Sequence, residues 1–198
     1  MNSQQKTVVI GVSAGGMEAL TVIVKSLPKD FAPAMIIVQH QKEDSDNFLV
    51  HYLNERSKIP VVEAEDKQKI GAGRIYIAPP GYHLLVEGDE QFSLSIDAKV
   101  SFARPSIDVL FESAADVYAE NLIGIILTGA NSDGARGLKK IKDAGGTVIV
   151  QDPETAHTKA MPLAALALTK ADYILPLEKI GPLLYNISGG TKDSKGIT

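Results

Sequence analysis

The sequence predicts an α/β fold, built on an open, mostly parallel sheet of about seven strands with a β-hairpin inserted among them. Three observations point there. Short β-branched runs alternate with stretches whose apolar residues recur at helical spacing. The run LIGIILT at 122–128 is apolar almost throughout, as expected of a strand covered on both faces. Between Pro79 and Val100 the pattern changes to apolar-polar alternation around Glu87-Gly88-Asp89, which reads as a hairpin.

Taken in order, Thr7 to Val12 (TVVIGV) is a strand ended by small residues, and Met17 to Leu27 follows as a helix. Ala34 to Gln39 (AMIIVQ) repeats the strand signal. Asp44 to Ser57 reads as a helix with acidic cap candidates and apolar residues at Phe48, Leu49, Tyr52 and Leu53. Val61 to Ala64 and Arg74 to Ala78 are short strands ahead of the hairpin. Pro105 and Ser106 open a helix to about Ala119, with Ile107, Leu110, Phe111 and Ala114 on one face. After the apolar strand come a helix from about Asp133 to Ala144, closed by Gly145-Gly146, and a strand at Thr147 to Val150. A helix near Pro162 to Thr169, a strand at Tyr173 to Leu177 and a last helix from Glu178 complete the chain. Residues 1–187 read as one domain, and the polar Ser188 to Thr198 stretch reads as a disordered tail.

Composition narrows the function classes. The chain has 198 residues, a size suited to one domain, and its net charge of -4 offers no positive field for a phosphate backbone, so nucleic acid is not an expected partner. It has no cysteine, which removes disulfides, thiolate metal sites and a cysteine nucleophile together. MNSQQK lacks the form of a signal peptide, and no apolar run is long enough to span a bilayer. A soluble, cytoplasmic protein without membrane insertion is expected. No His-Glu-x-x-His or carboxylate cluster has metal-ligand spacing, so neither a metal nor a cofactor is expected.

In an open parallel sheet, ligands gather beyond the carboxyl ends of the strands. Ser13 follows the first strand in Gly11-Val-Ser-Ala-Gly15-Gly16, His40 follows the second, and Asp133 follows the apolar strand in Thr128-Gly-Ala-Asn-Ser-Asp133-Gly134. Such a trio suits nucleophilic catalysis. An imidazole must take the proton of a weakly nucleophilic serine, and a carboxylate must hold that imidazole's tautomer. Glycines beside Ser13 allow a tight turn and close approach of a carbonyl to backbone N–H groups. Each residue also fits a plainer role: Ser13 and Asp133 as helix N-caps, and His40 as a strand-end histidine bonded to backbone. His51 and His83 read as structural. His157, in the loop Asp152-Pro-Glu-Thr-Ala-His, leaves another strand end and is a candidate to line the same cleft.

A dinucleotide fingerprint fails because Ser13 stands at the middle glycine and the second strand ends in His40 rather than an acid. Gly11-Val-Ser13-Ala-Gly15 matches a nucleophile elbow, but the chain order Ser, His, Asp differs from the α/β-hydrolase order.

Six motifs together resemble the catalytic domain of the CheB protein-glutamate methylesterases: GVSAGGMEAL at 11–20, VQHQ at 38–41, RIYIAPPGYHL at 74–84, RPSIDVLFESAA at 104–115, LTGANSDGARGL at 127–138 and QDPETAHTKAMP at 151–162. The resemblance runs from about Val8 to Ile187. It implies a doubly wound sheet with the inserted hairpin, and hydrolysis of glutamate methyl esters, often with glutamine deamidation, on methyl-accepting chemoreceptor-type proteins. It implies Ser13 as nucleophile, His40 as base and Asp133 as orienting acid. The backbone N–H of Ala130 is the implied oxyanion donor, with Ala14 or a neighbouring glycine such as Gly15 as a second. Gly129, Gly134 and Met161 fall on the family's site-lining motifs.

Four positions depart from the family pattern: Ala14, Ala130, Asn131 and Ala160, while His157 and Lys159 stand where apolar residues are usual. Chemotaxis members usually begin with a phosphorylatable receiver domain, for which these residues leave no room. The resemblance therefore implies constitutive activity, control by a separate receiver-domain protein, or service in another signalling system. Two other readings stand beside the esterase: a non-catalytic receptor-binding module and a small-molecule hydrolase.

Overall fold

The computed structural model describes residues 6–43 and 45–189. In chain order its elements are β1 (Thr7–Val12), α1 (Gly16–Ser26), β2 (Ala34–Gln39), α2 (Phe48–Asn54), β3 (Val61–Glu63), β4 (Ile75–Ile77), β5 (His83–Val86), β6 (Phe92–Ser95), α3 (Ile107–Tyr118), β7 (Leu122–Ile126), α4 (Ala135–Asp143), β8 (Thr147–Gln151), α5 (Ala160–Leu168), β9 (Tyr173–Leu175) and α6 (Leu177–Ile187). Seven strands form one parallel sheet in the order β3-β4-β2-β1-β7-β8-β9, and β5 and β6 pair antiparallel as a separate hairpin. This is the doubly wound arrangement with an inserted hairpin.

Strand periodicity sorts the side chains into two cores, because successive residues of a strand point to opposite faces. Val8, Ile10 and Val12 of β1 pack with Leu20 and Ile23 of α1, Leu53 of α2 and Leu184 of α6. Val9, between them, belongs to the other core with Phe111 of α3, Leu138 of α4 and Ala165 of α5. Every residue of β1 and β7 is buried, which explains why both read as continuous apolar runs. The hairpin inserts Leu84, Val86 and Phe92 into the second core, with the Phe92 ring edge-on to Tyr76 at 4.9 Å.

α2 is shorter than the helix expected over 44–57. Asp46 Oδ1 accepts the Phe48 N–H at 3.1 Å, so the acid closes a turn ahead of the helix instead of joining it. At the other end the Leu53 carbonyl accepts from both Arg56 and Ser57, a tightened final turn two residues before Ile59-Pro60. Residue 44 lies outside the described residues, as do 190–198 of the expected tail.

β1 sits at the centre, and the chain leaves it towards β2 but leaves β7 towards β8. The loops after β1 and β7 therefore diverge at their carboxyl ends and leave a crevice between them. β2 ends on the flank of that crevice.

Candidate active site

Three residues separate β1 from α1, and they hold Ser13 at the bottom of the crevice. Its N–H donates to the Thr128 carbonyl at 2.9 Å, stitching the β1 exit to the β7 exit. Gly15, at φ 80°, is the N-cap of α1, and no side chain caps that helix, so Ser13 is not a cap. A left-handed φ is cheap for glycine, and a Cβ there would also stand 2.6 Å from that of His157. The Ser13 hydroxyl instead lies 3.2 Å from His40 Nδ1. His40 continues the β1–β2 pairing with its N–H on the Val12 carbonyl at 3.1 Å, which fixes its ring between the two loops.

Asp133 is 0% exposed and does not cap its own helix, whose N-cap is Gly134 at φ 93°. It faces the start of α3. Its Oδ1 accepts from Ser106 Oγ at 2.8 Å and the Asp108 N–H at 3.1 Å; its Oδ2 accepts from the Ile107 N–H at 2.7 Å and His40 Nε2 at 2.8 Å. Burial pushes this carboxyl's pKa up. The hydrogen bonds from His40, from the Ile107 and Asp108 backbone and from Ser106 outweigh burial and hold it below the ordinary carboxylate value. An ionised carboxylate only accepts, so Nε2 of His40 carries the hydrogen and Nδ1 presents its lone pair to the Ser13 hydroxyl.

Backbone donors complete the arrangement. In a trans peptide the C=O and the following N–H point in opposite directions. The Ser13 carbonyl accepts from the Gly16 N–H (2.8 Å) and Gln39 Nε2 (3.0 Å), the Ala14 carbonyl from Thr128 Oγ1 (2.8 Å), and the Gly129 carbonyl from the Met161 N–H (2.9 Å). Tying down those carbonyls turns the N–H groups of Ala14, Gly15 and Ala130 away from their anchors. Among the described residues none of the three has a hydrogen-bond acceptor. Donors fixed in this way suit an oxyanion.

Three residues of this framework escaped the sequence reading, and a fourth, His83, is structural as read but joins the framework as well. Gln39 Nε2 spans the Ser13 and His40 carbonyls, both at 3.0 Å. Thr128 Oγ1 bonds the Ala14 carbonyl and accepts the Thr158 N–H at 2.9 Å. Ser106 caps α3 with an oxygen that accepts from Val109 and donates to Asp133. His83, 2% exposed, accepts the Ser106 N–H on Nδ1 at 3.2 Å and donates from Nε2 to the Ala98 carbonyl at 3.1 Å, linking the hairpin to Asp133 through Ser106. A histidine in the otherwise apolar strand HLLV was the available signal.

A cleft of about 740 Å³ opens above Ser13 and His40, with Met17, Phe48, Tyr52 and His157 among its walls. His157 thus lines the cleft while bonding Thr158 Oγ1 at 3.1 Å. Gly129, Gly134 and Met161 are buried beneath the loops, and the Met161 side chain packs on Gly129. Ala130 is exposed. Asn131 keeps a negative φ and uses Oδ1 to accept the Asp133 N–H at 3.2 Å, so the departure from glycine there supports the loop. Ala160 opens α5 at the surface. Among the described residues no group of three or more His, Asp or Glu side chains is arranged to hold a metal ion, and no helix is long and apolar enough to cross a membrane.

Residues 8–184 match the family model described as CheB methylesterase. A Leptospira interrogans protein, provisionally named protein-glutamate methylesterase/protein-glutamine glutaminase, is 52% identical over 182 residues, covering 92% of this chain and 94% of that one. A Thermotoga maritima protein of the same name is 39% identical over 178 residues, which span 88% of this chain and 52% of the longer relative. The crystal structure of the Thermotoga maritima CheB methylesterase catalytic domain superposes with a TM-score of 0.89 at 37% identity, covering 93% of this chain and 99% of that one.

Proposed function

The chain belongs to the CheB methylesterase family, and from that premise we propose that it hydrolyses glutamate methyl esters on chemoreceptor-type proteins in the cytoplasm through Ser13, His40 and Asp133. The observation that carries this reading is the unbroken line of contacts from the Ser13 hydroxyl through both ring nitrogens of His40 to the buried, ionised Asp133. As His40 Nδ1 takes its proton, Ser13 Oγ attacks the ester carbonyl carbon. The imidazolium is stabilised by Asp133, and the new oxyanion by the N–H groups of Ala130 and of Ala14 or Gly15. Collapse breaks the bond to the methoxy oxygen, which leaves as methanol with the proton from His40. Water, deprotonated by His40, then attacks the acyl-enzyme, frees the glutamate carboxylate and restores the Ser13 hydroxyl. With a glutamine side chain the same steps would release ammonia, consistent with the second activity in the relatives' names.

The non-catalytic reading rested on Asn131 and Ala160, and neither disturbs the contacts around Asp133. Incubating the chain with a receptor segment carrying glutamate methyl esters should release methanol. A chain that binds the segment and releases none would favour the non-catalytic module.

A further inference from the structure

We propose that the Ser101-Phe102 turn docks the protein substrate, seating a glutamate-bearing segment beside His40; this rests on the reading of the chain as a protein-glutamate methylesterase. Val100 and Ala103 exchange backbone hydrogen bonds at 3.1 and 2.9 Å, leaving a two-residue turn between them. Both turn residues have positive φ, 51° at Ser101 and 63° at Phe102, as in a type I′ turn. Asn, Asp and Gly are preferred there, whereas a bulky residue is strained.

The strain brings no packing in return, because Phe102 is 99% exposed and Ile96 on the same segment is 73% exposed. An aromatic ring held fully in water at an unfavourable φ suits contact with another molecule.

Charge and position identify that molecule's chemistry. A recess of about 440 Å³ runs from Phe102 to His40 and Asn131; among the described residues Lys42, Lys99 and Arg104 line it with a single carboxylate, Glu43, which pairs with Lys99 at 3.0 Å and with Arg104 at 3.5 Å. Among the described lining residues three cations against one anion leave two net positive charges, on a chain whose overall charge is -4. Arg104 is held in place by donating from Nη1 to the Ile96 carbonyl at 2.7 Å and the Asp97 carbonyl at 3.1 Å. Each turnover converts a neutral ester into a carboxylate, so a segment with several such sites is acidic. The wall across the nucleophile cleft carries Glu18 and Asp46 beside Met17 and Phe48. The basic rim and the acidic wall would give that segment one direction across Ser13.

The test combines binding and turnover in Phe102→Asn and Phe102→Trp. Asn suits the left-handed φ better than Phe, so the melting temperature should hold or rise. In a Ser13→Ala background, which traps the complex, Phe102→Asn should weaken binding of a methylated receptor segment by about tenfold, and Phe102→Trp by less than about threefold. With Ser13 intact, Phe102→Asn should raise KM for the segment while turnover of p-nitrophenyl acetate stays within about twofold. The proposal is overturned if Phe102→Asn binds the segment as well as the parent, if Trp fails as Asn does, or if both substrates lose activity together. A change in oligomeric mass with Phe102→Asn would also overturn it, by making the turn a contact between copies. Because binding is read without turnover, a failure of the methylesterase reading would show separately, as absence of methanol from the Ser13 chain.

Discussion

Replacing Asp133 with Asn keeps its shape and exchanges one acceptor oxygen for an NH2, and the hydrogen bonds around it decide which oxygen is exchanged. An NH2 in the Oδ2 place would confront the Ile107 N–H, now at 2.7 Å, and force the hydrogen of His40 onto Nδ1, the atom that must accept the Ser13 proton. An NH2 in the Oδ1 place confronts only the Asp108 N–H, at 3.1 Å, because the Ser106 hydroxyl can rotate to accept. The second orientation is therefore preferred, and His40 keeps its productive tautomer. The remaining loss is the charge assistance to the imidazolium, about 1.5–3 kcal/mol. That corresponds to a fall in turnover of about 10- to 150-fold, well short of the roughly 10⁴-fold expected when the tautomer is wrong. One buried N–H left facing a donor, together with weaker neutral bonds to the others, should cost about 2–4 kcal/mol of stability, or roughly 5–15 °C in Tm for a domain of this size. Methanol release and a thermal melt measure the two effects. A 10⁴-fold fall would refute the orientation argued here, and undiminished turnover would remove Asp133 from the reaction altogether.

Thr128→Val should lower kcat by about 10- to 100-fold with KM little changed, because the Ala14 carbonyl loses its anchor at 2.8 Å and the oxyanion donors loosen; steady-state kinetics with the methylated segment would show this, and a pure KM effect would contradict it. The folded-state pKa of Asp133 lies below its unfolded value of about 3.9, so its ionisation stabilises the fold above that pH and the contribution is lost as pH falls through the folded value. The Tm difference between the wild type and Asp133→Asn should therefore shrink as pH is lowered from about 5 into that acid range, and a difference independent of pH would count against a carboxylate held ionised by its neighbours.

The sheet and the meeting of Ser13, His40 and Asp133 were legible because each residue stands just past an apolar run, and strand ends in such a sheet converge on one edge. The plainer roles of Ser13 and Asp133 could not be dismissed from spacing, since a serine three residues before a helix looks like a cap. Only the φ of Gly15 and Gly134 shows that those two glycines take the cap positions. The carboxylate of Asp133 turned out to face a different helix, α3, a contact across 26 residues of sequence to Ile107 with no local signature. Gln39 and Thr128 were not legible for a related reason: each acts on the backbone of another residue, and backbone atoms leave no mark in residue type. The later start of α2 turned on one side-chain bond to Asp46, which competes with helix at a residue that pattern alone assigns to it.

Labelling by an active-site-directed phosphonofluoridate tests most directly whether the reaction runs through Ser13. The predicted result is one phosphonyl group per chain, mapped by mass spectrometry to Ser13, with methanol release from the methylated segment lost in proportion to labelling and no adduct in Ser13→Ala. A chain fully modified at Ser13 that still releases methanol, or a Ser13→Ala chain that does so at the wild-type rate, would contradict the account.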